Sequence, residues 1–240
     1  MKGGVLYDEL LGPGLDAARW EVLQYPLADG SMMRLEEPEA KITVANGTAE
    51  IQVDRFQRSH DTVQIFENPK HLVATVADFP VQRSGESVVS VQMAAHSIGG
   101  NPDDYRDGFF AFNVFDPQTA SVFDHIVTGT RAYVVHERLL VPGVIDPADA
   151  FTWIVEAPLS VGEIDSSQFH EYAVVLDPAA RRIRWLVDDR LAYEAQNVEV
   201  PASMRVGFGV FTLYPLRDGH SVSLRGQGMS GRWRELRVPA

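Results

Sequence analysis

FHEYAVVLDPAARRIRWLVDDRLAYEA, residues Phe169–Ala195, is the stretch that decides the fold. Tyr172–Leu176, Ile183–Val187 and Leu191–Glu194 are short runs rich in Val, Leu, Ile, Tyr and Trp, residues that fit a pleated, half-buried surface. Asp177-Pro178 and Asp188-Asp189 separate them. Both pairs form turns, because Asp bonds its own backbone and tolerates the left-handed region, while proline pre-sets φ. Three strand signals joined by turns, with no helical period among them, read as consecutive hairpins.

The same signature continues in both directions. Lys41–Ala45 and Ala49–Val53 flank Asn46-Gly47, a strong hairpin turn because both residues accept a positive φ. Thr62–Phe66, Leu72–Val76, Val88–Met93, Phe109–Phe115, Val122–Val127, Arg131–Leu140 and Phe151–Glu156 precede the decisive stretch, and Met204–Leu213 and Gly231–Val238 follow it. Helix is scarce: Leu15–Val22 is expected to make one short turn, with Asp16 near its start. The 19 Gly and 14 Pro are scattered rather than gathered in a linker, as many short strands require. The expectation is an all-β, two-sheet antiparallel sandwich forming a single domain over residues 1–240.

Two strands lack the usual alternation. Phe109–Phe115 places Phe109, Ala111, Asn113 and Phe115 on one face and Phe110, Phe112 and Val114 on the other. Met204–Leu213 sets Val206, Phe208 and Val210 against Gly207, Gly209, Phe211 and Leu213. A strand apolar on both faces is central. In a two-sheet sandwich its second face is covered by loops or lines a cleft.

The chain carries 33 acidic and 21 basic residues, a formal charge of −12. Such a surface repels phosphate backbones and anionic lipid, so nucleic-acid and membrane partners are disfavoured and a small-molecule ligand is expected. No run of 18 apolar residues predicts a membrane-spanning helix. MKGGVLYDEL has no apolar h-region or small-residue cleavage pattern, so the expected location is cytoplasmic. Cysteine is absent. The His residues show no zinc spacing, and no phosphate-binding or nucleophile-elbow motif occurs, so neither a metal nor a cofactor is implied.

YDELLGPGLDAARWEV (Tyr7–Val22), the Phe169–Ala195 hairpins and the closing GRWRELRV (Gly231–Val238) together resemble glycoside hydrolase family 16, the laminarinase-type β-glucanases. The resemblance implies a concanavalin A-like jelly roll. The whole chain is also similar to an uncharacterised actinobacterial family of intracellular proteins, which implies no activity. Family 16 enzymes carry Glu-x-Asp-x-Glu on a central strand, with all three carboxylates on the concave face and the two Glu serving retaining hydrolysis. The strand that matches is Val122–Val127, VFDHIV. It keeps Asp124, but Val122 and Ile126 stand where the Glu pair is expected. The resemblance therefore implies that the catalytic Glu pair is missing. Apolar contact contributes roughly 25 cal/mol per Å² buried, so a floor of Val122 and Ile126 suits a largely apolar ligand.

Asp124, partly desolvated between Val122 and Ile126, is the candidate general acid. His136 and Glu137 are candidate partners. They lie on opposite faces of a regular strand, so only one of them reaches Asp124; His136 shares its face with Arg138. Tyr105 and Asp107, in the loop that feeds Phe109, are candidate ligand contacts, as are Asn113, Val122, Ile126, Arg138 and, at a strand end, His60. His125 is expected to face the core. Three readings stay open. One is a cofactor-independent enzyme of lyase, isomerase or cyclase type acting on a small biosynthetic intermediate. Another is a carbohydrate-binding module stacking sugars on Trp20, Trp153, Trp185 or Trp233. The third is a protein-interaction domain.

Overall fold

Period-two alternation gives each strand two rows of side chains, and two sheets can bury one row each by stacking face to face. The computed structural model describes residues 4–26, 30–59, 68–141, 145–157, 161 and 164–240. Its strands are β1 (Val5–Leu6), β2 (Trp20–Val22), β3 (Gln24–Pro26), β4 (Met32–Arg34), β5 (Lys41–Ala45) and β6 (Thr48–Val53). Next come β7 (Lys70–Thr75), β8 (Phe79–Pro80), β9 (Ser87–Ile98), β10 (Phe109–Asp116), β11 (Ser121–Val127) and β12 (Ala132–Arg138). The last six are β13 (Phe151–Glu156), β14 (His170–Asp177), β15 (Arg182–Val187), β16 (Arg190–Gln196), β17 (Ser203–Phe211) and β18 (Gly228–Val238).

The first sheet runs β16-β15-β14-β9-β18-β6-β5, with β1 also on β18. The second runs β13-β12-β11-β10-β17-β7-β2, with β8 also on β17, and β3 and β4 form a separate hairpin. The two large sheets make an antiparallel β-sandwich. The decisive hairpins are β14, β15 and β16, paired in that order as expected. The β5–β6 turn has Asn46 at φ 53° and Gly47 at φ 75°, the left-handed values that this dipeptide accepts.

Several expectations need correction. Leu15–Val22 makes a turn over residues 17–19, with the Arg19 and Trp20 amides donating to the Asp16 carbonyl, but Trp20–Val22 is then strand β2 on the edge of β7. Pairing with β7 prevails over continuation of the turn. Short strands β1, β3, β4 and β8 were too brief to show a period. Thr62–Phe66, with His60 and Asp61, lies outside the described residues.

The core lies between the sheets. Phe208 of β17 stacks on Trp233 of β18 at 4.8 Å and 14°. Phe112 and Phe110 stack on Phe208 at 5.7 and 6.2 Å, and Trp20 meets Phe208 and Trp233 edge-on or tilted at about the same range, 5.9 and 6.1 Å. The entry segment is tied to this group: the Trp20 indole N–H donates to Asp8 Oδ2 at 2.8 Å, and Tyr7 sets its ring edge-on to Trp20 at 5.4 Å. Gly231 of β18 faces the same layer because any Cβ there would run into the Phe110 ring.

His125 points into the core as expected. Its Nε2 bonds the Ala173 carbonyl of the opposite sheet at 3.0 Å, and its ring lies between Phe112 at 6.3 Å and Tyr172 at 5.3 Å. Burial favours the neutral imidazole and pushes its pKa down to about 4.

Two outcomes follow for stability. Gly231→Ala should cost about 3 kcal/mol or prevent folding, read as a lower urea midpoint, because ring and methyl cannot share that space. For His125, an unfolded chain takes up its proton near pH 6.5 and the folded chain near pH 4. Stability is therefore intact above the first value and falls by about 3 kcal/mol as pH drops to the second. His125→Gln, which keeps a donor for the Ala173 carbonyl, should flatten that slope in urea titrations. An unchanged slope would assign the acid sensitivity elsewhere, His71 included, since burial pushes it down to about 4 as well.

Candidate functional site

The face of the second sheet turned away from the core is built by register. On β10 and β17 the inward row is Phe110, Phe112, Val114, Val206, Phe208 and Val210, all in the main core. The outward row then contains Phe109, Ala111, Asn113, Gly207, Gly209 and Phe211. β11 places Val122, Asp124 and Ile126 outward, opposite Glu137, Val135 and Tyr133 of β12. β13 continues the row with Thr152, Ile154 and Glu156. Asp124 and Glu137 are thus diagonal neighbours on adjacent strands, a relation that brings Cβ atoms to about 7–8 Å.

Asp124 is only 6% exposed. Its Oδ1 accepts the Val114 N–H at 3.1 Å, so the side chain reaches down into the β10–β11 ladder and takes a backbone donor. Burial pushes its carboxyl well above the usual carboxylate range, the neighbouring Glu137 charge pushes in the same direction, and the Val114 N–H works against both. Glu137 Oε1 accepts the Thr152 hydroxyl at 2.5 Å. Burial raises its pKa, while the Thr152 bond and the positive charge of Lys70 work against that rise. Asn113, also outward and buried, donates its amide to the Gly207 carbonyl at 3.4 Å.

The rest of the outward face is filled by apolar side chains. Phe109, Ala111, Ile126, Tyr133 and Val135 form one buried cluster, joined by Tyr105, Ile154, Phe211 and Leu213. Phe109 and Phe211 stack at 5.2 Å and 6°. A second cluster of Met33, Leu35 and Leu72 also contains Phe211. Tyr105 sets its ring on Tyr133 at 5.2 Å. Its loop is fastened at both ends: Asp107 accepts the Asn101 amide at 2.8 Å and the Tyr214 hydroxyl at 2.7 Å, and Arg131 bonds Asp103 at 3.2 Å.

The structure brings Asp124, Glu137, Asn113, Val122 and Ile126 onto one face, with Tyr105 packed over part of it. Three described candidates do not join them. His136 points inward, its imidazole 5.6 Å from Phe123, 4.9 Å from Phe151 and 5.6 Å from Trp185, and burial in that aromatic setting lowers its pKa. Arg138 lies on the same side as His136, by the same alternation. Asp107 is occupied in fastening its loop. His60 lies outside the described residues. Among the described residues, no group of three or more His, Asp or Glu is placed to hold a metal ion. The sugar-stacking expectation also changes, since Trp20, Trp185 and Trp233 are buried and Trp153 alone of the four is exposed, at 57%.

Sequence reading missed Lys70, Thr152 and the Val114 amide. Lys70 pairs with Phe211 and is buried at the start of β7. A lysine two residues ahead of Leu72 and four ahead of Ala74 shares their face, so extending the strand by one turn of alternation finds it. The Val114 amide had no signal, because it depends on where the Asp124 side chain folds.

A buried acid held above its usual range weakens the fold when it must ionise. The cost is absent below the unfolded pKa of Asp and grows as pH rises. Asp124→Asn, which can still accept the Val114 N–H, should therefore raise the urea midpoint at pH 8 and leave it unchanged at pH 4. A lower midpoint at both values would contradict this account.

The whole chain is similar in fold to several β-glucanases. The endo-1,3-β-glucanase of Streptomyces sioyaensis matches with a TM-score of 0.60 and 13% identity, covering 99% of this chain and 97% of that one. The catalytic domain LamAcat of Zobellia galactanivorans matches with a TM-score of 0.59 and 14% identity, covering 98% of each. The Bacillus licheniformis β-glucanase matches with a TM-score of 0.59 and 13% identity over the full length of both chains. The fold is thus the jelly roll of the family 16 laminarinases and lichenases, and identities this low carry the fold alone. No curated protein matches the chain. Residues 16–240 match the model of a family of unknown function, DUF6081, and the chain belongs to that family.

Proposed function

We propose that this protein is a cofactor-independent enzyme that moves protons on a small, largely apolar molecule at the outward face of the second sheet. The observation that carries the reading is the placement of Asp124 and Glu137 as diagonal neighbours on β11 and β12, Asp124 buried and Glu137 half-buried. Pairs of acids whose surroundings push them unequally divide naturally into an acid and a base. Glu137, supported by Thr152 and Lys70, is the group better suited to carry negative charge and serve as base. Asp124 is the group better suited to keep its proton. The apolar surroundings, Ile126, Val135 and Tyr133 among them, favour a ligand with an apolar body. Isomerase, lyase and cyclase reactions can all be promoted by such proton transfer, with proximity supplying part of the rate.

A carbohydrate ligand is the second reading. It is favoured by the fold relatives, one of which is described in complex with laminaritriose and laminaritetraose. Thermal-shift screening separates the two. Small apolar metabolites should raise the melting temperature and laminaritriose should not; the reverse pattern would replace the first reading with the second.

For any substrate so found, Glu137→Gln should lower turnover by about 10²-fold or more. His136→Phe should leave it unchanged, because that ring faces the core. Equal losses in the two variants would remove Glu137 from its assigned role.

A further inference from the structure

β13 ends the second sheet, and among the described residues no strand pairs with its outer edge. The Ala157 N–H donates to the Ala132 carbonyl at 2.9 Å, one step beyond the facing residues Tyr133 and Glu156. Hydrogen-bonded pairs alternate along an antiparallel ladder, so Phe151, Trp153 and Val155 turn their backbone groups to β12. The N–H and C=O groups of Thr152, Ile154 and Glu156 then point away from β12. Among the described residues, none of these groups is hydrogen-bonded.

The side chains mark the same edge. Trp153 faces His136 in register and so belongs to the inward row, yet it is 57% exposed. Phe151, in the same row, lies edge-on to Trp153 at 6.4 Å and is also exposed. Both are core-facing residues at a rim that the first sheet leaves uncovered. The other sheet edges carry guards. β2 has three residues, β5 has the exposed Lys41, and β16 has Arg190 and Glu194. Short edges and charges of this kind discourage pairing with another chain. β13, FTWIVE, has six residues and no Lys, Pro or Gly. Its one charge, Glu156, is held in an ion pair by Arg131.

We infer that β13 pairs antiparallel with β13 of a second copy of this chain, about a two-fold axis at Trp153, joining the two second sheets into one. The register follows from the free backbone groups. Thr152, Ile154 and Glu156 present them, so these residues must form the hydrogen-bonded pairs. With the axis at Trp153, Thr152 exchanges bonds with the partner's Ile154, and Phe151 meets the partner's Val155. Trp153 and the partner's Trp153 form the close, non-hydrogen-bonded pair, where side chains approach most. Moving the axis to Ile154 leaves Phe151 uncovered, and moving it to Thr152 leaves Ile154 and Val155 uncovered. The two-fold keeps the inward rows on one side, so apolar meets apolar. Glu156 falls opposite the partner's Ala150, so no acid faces an acid. That favours self-pairing in a chain of net charge −12, whose copies repel one another elsewhere. The partner's Ile154 then lies beside Thr152, whose hydroxyl bonds Glu137.

One pair of six-residue strands is smaller than a standard interface, so the dimer is weak. Sedimentation equilibrium of the full chain should pass from monomer to dimer between about 1 μM and about 1 mM. Trp153→Lys and Trp153→Glu should each stay monomeric over that range, because like charges then face each other across the axis. An equimolar mixture of the two variants should dimerise again, since opposite charges then meet. That recovery requires both variants to be folded and Trp153 to face its own copy. As concentration rises, the amides of Thr152, Ile154 and Glu156 should exchange with deuterium about 10-fold more slowly, while those of Phe151, Trp153 and Val155 change less. A chain that stays monomeric at about 1 mM overturns the inference and leaves the edge to a strand of another protein. A dimer that persists in both Trp153 variants places the contact elsewhere and overturns it too. Variants that melt like the unsubstituted chain but fail to pair when mixed overturn the register.

Discussion

The contact between Phe208 and Trp233 holds the two sheets in one relation, and much else depends on it. β17 and β18 lie near the middle of their sheets, and these rings meet across the gap at 4.8 Å. Phe110, Phe112 and Trp20 complete the layer, and Gly231 leaves the space that Phe110 occupies. Once Phe208 points inward, Gly207 and Gly209 point outward. Pairing then transmits that choice to β10 and β11, strand by strand. A slip of one residue would exchange every inward and outward side chain, bury Asp124 in the core and expose the Phe110 row. The position of the candidate site is therefore a consequence of aromatic packing on the other side of its sheet.

The outward face has its own packing. Phe211 belongs to two clusters, one extending over β10, β11 and β12 and the other to the β3–β4 hairpin. Gly209 accommodates this arrangement, since a Cβ there would press on the Phe211 ring and on β7. Beside these clusters sit two acids that an apolar setting disfavours in ionised form. The protein carries an electrostatic cost at Asp124 and Glu137 that the main core does not require. That cost is one of the observations on which the proposed proton transfer rests.

Much of the fold was legible because strand, turn and two-sided burial leave local marks. Asn46-Gly47 announces its hairpin, and the double apolar rows of Phe109–Phe115 and Met204–Leu213 mark the centre of a sheet. The site was legible in part. Alternation placed Asp124 with Val122 and Ile126 and kept His136 and Glu137 apart, but could not say which of the two faces Asp124. The three buried tryptophans show the same limit, because a Trp on a strand serves a core or a binding surface with the same local pattern.

That this chain alternates and turns as an all-β sandwich, and which residues share a face, is written in the order of its residues, because period and turn chemistry are properties of neighbours along the chain. Tertiary structure alone decided that Glu137 and not His136 stands beside Asp124, that Lys70 acts on Glu137, and that the Val114 amide holds Asp124 Oδ1. Those relations join residues of different strands, and they exist only after the ring layer between the sheets has set the register and the inward face of each.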